Sequence, residues 1–327
     1  MQADVDQQLS VAVDWAPAYE LVLSVGCFVT FAKHRLLELG EAWVNHVRER
    51  LPAGMAARLS RQSAALSLKH KEDQLLLLLV RACPVSREVN PFLDWLASLS
   101  AGDAYEVLAP YLPDAGPRLP RDFLSWRDRV VNVLHVWDDT YFSTVDPAIL
   151  KGLAENAVEL RQRLDASPQA LIEEMTNGIL VEPGEDLLNV TLIPQYHERP
   201  YNTDVPEQGG VIILYPADIC LPTDDQPPSR LLRLTHALSD ESRLRILRFV
   251  ADGPRTLTEV ARFIGLSQPT VHHHLVQLRA AGLVRVHFVA NAPSRYSLRP
   301  HALDQLSDQL GRYLQPPVVT EERSQNP

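Results

Sequence analysis

Between Ser239 and Gly282 the chain writes successive helices together with their starts and stops. Ser239 and Asp240 are cap residues for a helix through Val250, whose Leu244, Ile246, Leu247 and Val250 supply an apolar surface, and Gly253 ends it. Thr256 and Glu259 form the S/T-x-x-E box that opens a short helix over Leu257 to Ile264. Gly265 terminates that helix, and after Leu266 the cap Ser267 starts the next, which runs to about Ala281 with Gly282 as its stop. Two short helices joined by a tight Gly-containing turn are a helix-turn-helix. The second helix of such a pair is the one that enters the DNA major groove.

That second helix carries three consecutive histidines, His272, His273 and His274. At about 100° per residue, Val271, Leu275 and Leu278 share one face, which must be the core side. His273 lies nearly opposite, with Pro269, Thr270, Val276 and Gln277 around it, and His272 and His274 take the flanks. Three successive side chains therefore point three ways and cannot converge on one metal ion, since ligand pairs on a helix need a spacing of three or four. Gln268, Thr270, His272, His273 and Gln277 instead offer short donors and acceptors where base edges would be reached. A merely solvated polar face is the competing reading of such a helix.

The flanking segments decide against it. Val284 to Val289 alternates, Ala290 to Ser294 reads as a turn, and Arg295 to Leu298 resumes the strand pattern, giving a two-stranded wing. Arg285 and Arg295 would meet sugar-phosphate there, and Arg255 and Arg279 are further phosphate candidates. From Ser229 onward the chain has 13 Arg, no Lys and 8 Asp or Glu, a balance of +5, so the net −10 of the whole leaves −15 on the remainder. An acidic body joined to a basic C-terminal region suggests that only the latter meets a polyanion.

The remainder is patterned differently. From Ala16 to about Asn177 helical periodicity dominates, interrupted by Pro52, Pro84, Pro110 to Pro120, Pro147 and Pro168. Leu75 to Val80 is apolar on all sides and must be covered by neighbouring elements. Leu187 to Ile193 and Val211 to Tyr215 read as strands, with Ile179 to Val181 as a third, separated by a polar loop containing Pro200, Pro206, Gly209 and Gly210. The organisation expected is a mostly helical sensing or oligomerisation domain over 1–217, a Pro- and Asp-rich linker over 218–229, a winged helix-turn-helix over 230–314 and a disordered tail over 315–327. The fold class is mainly α with a small β element.

Cys27, Cys83 and Cys220 are far apart with no CxxC pair, as in a reduced cytoplasmic chain, and offer no thiolate metal cage. The N-terminus lacks the pattern of a signal peptide, and Leu21 to Ala32 is too short and too closely bracketed by Glu20 and Lys33 to cross a membrane. Trp15, Tyr19, Trp43, Trp95, Trp126 and Trp137 read as core. Tyr196, His197, Glu198, Arg199 and Tyr201 are the most polar-aromatic cluster, with a solvated loop the plainer reading and no acid–base partner identifiable. His135, Asp138, Asp139 and Tyr141 resemble metal ligands, but His135 and Asp139 alone share a helical turn. No phosphate loop, GxSxG or HExxH is present, so catalysis has no motif behind it.

The pieces ALSDESRLRIL, LSQPTVHHHL and LRAAGLV occur in the order and spacing of the winged helix of the ArsR family of bacterial transcriptional regulators, which this last quarter of the chain resembles. The resemblance implies a homodimeric, inverted-repeat-binding repressor released by a small-molecule effector. It places Gln268, Thr270, His272 and His273 at base-reading positions, and makes Leu231 to Leu238 and His301 to Leu314 dimerisation helices. Two departures stand out. Founding members sense metals through a Cys-x-Cys cluster on the first helix of the motif, or through Asp and His on the closing helix. Here TLTEVARFI has no cysteine, while His301, Asp304 and Asp308 leave a residual metal candidate; no cofactor is expected. The large N-terminal region resembles the helical region preceding the winged helix in some actinobacterial-type members. Two other readings compete: a winged helix serving as a protein-interaction module on a helical scaffold, and an N-terminal enzyme domain fused to a regulator.

Overall fold

The computed structural model describes residues 9–29, 37–55, 59, 71–113, 118–164, 167–181, 188–219, 227–288, 293–300 and 302–314. It divides into two compact units, Met1–Pro222 with His287–Pro293, and Thr223–Val286 with Ser294–Pro327. Most of the candidate linker and the whole of the tail lie outside the described residues, as do Cys220, Leu187, Val289 and His301.

The N-terminal unit is built on a four-stranded sheet. Strand β1 (Ser10–Val13) begins it, and helices α1 (Pro17–Val29), α2 (Gly40–Arg50), α3 (Lys71–Ala82), α4 (Val89–Ser98), α5 (Ala101–Leu108), α6 (Phe123–Thr140), α7 (Pro147–Arg161) and α8 (Pro168–Met175) follow. Strands β2 (Ile179–Val181), β3 (Asn189–Gln195), β4 (Thr203–Glu207) and β5 (Gly210–Pro216) come last. The sheet order is β1-β3-β5-β4. β1 and β5 run parallel to β3, with Ser10 opposite Asn189 and Val190 opposite Val211, whereas β4 pairs antiparallel with β5.

The β element is therefore larger than the sequence suggests. β1 is a four-residue strand too short to stand out in the sequence, and β4 forms inside the stretch read as a polar loop, with Pro206 tolerated on an edge strand. β5 is buried along its whole length, as a strand covered on both faces must be. Its first residue has to be glycine, because a Cβ on Gly210 would lie 2.3 Å from the Asn189 carbonyl oxygen.

Helix α1 is buried on every side, and Leu75 to Val80 of α3 are each at most 1% exposed. An all-round apolar helix is stable only when other elements enclose it; α1 packs on α3, α4 and α6, while α3 also meets α5 and β4. Trp15, Trp43 and Trp95 pack against this core and Tyr19, Trp126 and Trp137 lie within it. Asp14, directly after β1, accepts from both terminal nitrogens of Arg87 at 2.6 and 2.7 Å and from Tyr19 Oη at 2.8 Å. Burial raises the Asp14 pKa, but Arg87, Tyr19 and Arg81 outweigh it and hold the carboxyl below its ordinary value. Cys27 and Cys83 are buried. Among the described residues no helix is long and apolar enough to cross a membrane.

The C-terminal unit contains α9 (Ser229–Leu238), α10 (Glu241–Ala251), β6 (Arg255–Thr256), α11 (Leu257–Ile264), α12 (Gln268–Ala280), the first three residues of β7 (Val284–Phe288), β8 (Arg295–Leu298) and α13 (Ala302–Leu314). Its own core gathers Leu234, Ile246, Val250, Val260, Ile264, Val271, Leu275, Leu278, Leu283 and Val284. β8 lies between β7 and β6, with Thr256 opposite Arg295. Leu244, expected to help bury α10, is 48% exposed, and Arg243 takes an inward position instead.

Candidate nucleic-acid interface

The helix signals in the sequence are realised atom by atom. Asp240 caps α10 by accepting from Arg243 N. Thr256 and Glu259 close a reciprocal capping box on α11, with Thr256 N donating to Glu259 Oε2 at 2.7 Å. Those bonds keep the Glu259 carboxyl below its ordinary pKa. Gly265 ends α11 at φ 79°, a left-handed conformation that costs glycine nothing. Ser267 then caps α12 through Thr270 N, with Pro269 in the first turn, where a missing N–H is harmless.

α12 turns Val271, Leu275 and Leu278 into the core. Gln268, Thr270, His272 and His273 are exposed, and His274 is half-buried. The three histidines thus diverge as helical geometry requires, and His274 Nδ1 lies 3.9 Å from Asp240 Oδ1. Burial lowers the His274 pKa against the pull of Asp240. Among the described residues no group of three His, Cys, Asp or Glu is placed to hold a metal ion. His301 lies outside them, while Asp304 and Asp308 are exposed on α13.

Gln277 is placed differently from its neighbours. It is half-buried; its Oε1 accepts from Arg243, and its Nε2 lies 2.9 Å from His273 Nε2. Arg243 is 6% exposed and also donates to the carbonyls of Ala237 at 2.8 Å and His236 at 2.7 Å, tying the end of α9 to α10 and α12. Sequence reading missed this residue, although the signal was there: Arg243, Ile246, Leu247 and Val250 are spaced to share the inward stripe of α10.

Of the four candidate phosphate contacts, Arg295 is exposed and Arg279, Arg285 and Arg255 are half-buried. The Arg255 guanidinium lies over the Phe249 ring at 4.9 Å, and Phe249 stacks on Phe263 at 4.1 Å. Such stacking holds the cation in a fixed place while its edge stays available for hydrogen bonding.

In the N-terminal unit the cluster after β3 is not solvated. Tyr196, His197, Glu198 and Arg199 are all less than 10% exposed, and their partner comes from the far end of the sequence. Glu20, 1% exposed in the first turn of α1, accepts from Tyr196 N, His197 N and His197 Nδ1 at 3.1, 2.8 and 2.5 Å. His197 Nε2 meets Tyr141 Oη at 2.7 Å, and that oxygen accepts from Trp43 Nε1 at 2.8 Å. Tyr141 is therefore turned inward to this chain, apart from the exposed His135 and Asp139.

A family model described as a helix-turn-helix domain matches residues 238–287. The HTH-type transcriptional regulator NmtR of Mycobacterium tuberculosis is 40% identical over 63 residues, which are 19% of this chain and 52% of that protein. A probable mercury resistance operon repressor of Streptomyces lividans is 40% identical over 57 residues, 17% of this chain and 46% of that protein. The chain thus spans about half the length of these curated relatives. Among solved structures, an ArsR-like transcriptional regulator from Rhodococcus sp. RHA1 aligns over 26% of this chain and 79% of its own, at 28% identity and a TM-score of 0.24. The helix-turn-helix match and the two transcriptional-regulator relatives coincide with the segment that folds as α10 to β7, and the C-terminal unit is a winged helix-turn-helix similar to theirs.

Proposed function

We propose that this chain is a sequence-specific DNA-binding transcriptional regulator that works as a homodimeric repressor. The observation that carries the reading is α12: a capped helix with its apolar stripe buried and Gln268, Thr270, His272 and His273 exposed along its first turns. These side chains would reach base edges, while Arg255, Arg279, Arg285 and Arg295 would hold sugar-phosphate. The relatives' names, an HTH-type transcriptional regulator and a mercury resistance operon repressor, support the regulatory role. Two copies are needed because one recognition helix spans only a few base pairs, so the site would be an inverted repeat with half-sites about one helical turn apart. α9 and α13 pack on each other and leave Leu232, Leu310, Tyr313 and Leu314 exposed, which suits them to the dimer contact. The N-terminal unit would receive a small-molecule effector or partner.

The test is selection of duplexes from genomic fragments by the purified full chain, followed by titration at several salt concentrations. A palindromic consensus is expected. Replacing Gln268 by Ala should weaken binding by about 1–3 kcal/mol and relax one position, whereas Arg295→Ala should weaken all sequences alike and reduce the salt slope by about one. Recovery of fragments with no shared sequence would remove the proposal.

A further inference from the structure

The Arg243, Gln277 and His273 chain fixes which nitrogen of His273 carries the proton. A guanidinium has no acceptor, so the atom of Gln277 that meets Arg243 has to be the carbonyl Oε1, as found. The amide cannot turn over, because that would set its NH2 against the arginine. Nε2 of Gln277 is therefore a donor directed at His273 Nε2, 2.9 Å away. A ring nitrogen that receives a hydrogen bond must hold a lone pair, and in a neutral imidazole the other nitrogen then bears the hydrogen. The anchor is firm, since Arg243 is buried and has two further acceptors, the Ala237 and His236 carbonyls. The i, i+4 spacing of His273 and Gln277 keeps the contact within one turn of α12.

We infer that Arg243 and Gln277 are positioning residues that lock the exposed His273 ring as its Nδ1–H tautomer, so that it presents a hydrogen-bond donor to DNA. The inference rests on α12 being the reading helix. A single donor at that point of the major groove recognises an acceptor edge: guanine N7 or O6, adenine N7, or thymine O4. It excludes the cytosine amino group, which needs an acceptor. Gln277 thus acts on specificity through His273 without itself touching a base.

The direct test is nuclear magnetic resonance of the full chain with 15N-labelled imidazoles, at a pH where the ring is neutral. His273 is identified by the signal lost in His273→Asn. A protonated Nδ1 and a bare Nε2 are expected; a protonated Nε2 would overturn the inference in the wild-type protein, whatever any variant does. Gln277→Glu keeps the bond to Arg243 but turns the second contact into an acceptor, and should move the proton to Nε2. Selection from a random duplex pool supplies the other arm. His273→Ala should lose about tenfold or more discrimination at one base pair of each half-site, and Gln277→Glu should change the preferred base at that same pair. If the wild type selects a consensus that both variants leave unaltered, the relay has no part in specificity and the inference fails alone. If the wild type selects nothing, the DNA reading fails with it.

Discussion

His197 in the N-terminal unit and His273 in the C-terminal unit are both held through hydrogen bonds to their rings, yet the first is closed on both nitrogens and the second on one. Glu20 and Tyr141 occupy both sides of the His197 ring, which has no exposed surface. Among the described residues His273 is bonded through Nε2 alone, on an exposed ring. A polar cluster satisfied entirely by its own chain holds a fold together, and one with a free edge is available to something outside. The comparison separates two groups that look equally suggestive in the sequence.

The largest effect expected follows from the closed side. Glu20→Ala leaves the two backbone N–H groups and the imidazole N–H without an acceptor in a dry core, and should destabilise the N-terminal unit by roughly 3–5 kcal/mol. All 5 tryptophans lie between Trp15 and Trp137, so tryptophan fluorescence during urea unfolding reports on that unit directly. A midpoint unchanged from wild type would break the comparison. On the open side, His273→Ala should leave stability within about 0.5 kcal/mol, as surface changes do, while costing about 1–3 kcal/mol of binding to the selected duplex. Loss of stability in place of binding would put His273 in the same class as His197.

How much of this was legible depended on how local each feature is. Thr256, Glu259, Gly265 and Ser267 act within four residues of themselves, so α11, its turn and α12 could be read nearly to the residue. The wing strands followed from alternation alone. β1 could not be read, because its pairing partner, Asn189 to Leu192, is some 180 residues away and the strand itself is only four residues long. The cluster at Tyr196 reads as a solvated loop in the sequence for the same reason: Glu20 is there only the polar bracket of a helix, and the fold alone carries it across to His197. Arg243 is a different case: its place on the inward stripe of α10 is visible in the spacing, but two of its three acceptors are backbone carbonyls, which no side-chain pattern shows.

Smaller effects sharpen the account of the C-terminal unit. Thr256→Ala removes one half of the capping box and should cost about 1 kcal/mol, seen as faster amide hydrogen exchange along α11 with the N-terminal unit unchanged. The smallest effect is the pH dependence set by His274. Its folded pKa is lowered, chiefly by burial, so between the folded and unfolded values the unfolded state binds more protons and stability rises with pH. The contribution is present above the ordinary histidine value and fades as pH falls through the folded one. His274→Gln should flatten that part of the stability profile of the C-terminal unit; a slope of opposite sign would show the ring to be paired with Asp240 as a cation.

The most direct measurement of the central claim compares two duplexes of equal length at physiological salt, one carrying the selected inverted repeat and one with its bases shuffled. The full chain should prefer the first by at least about a thousandfold, the margin typical of specific DNA binding. Equal affinity for both would contradict the assignment of α12 as a reading helix.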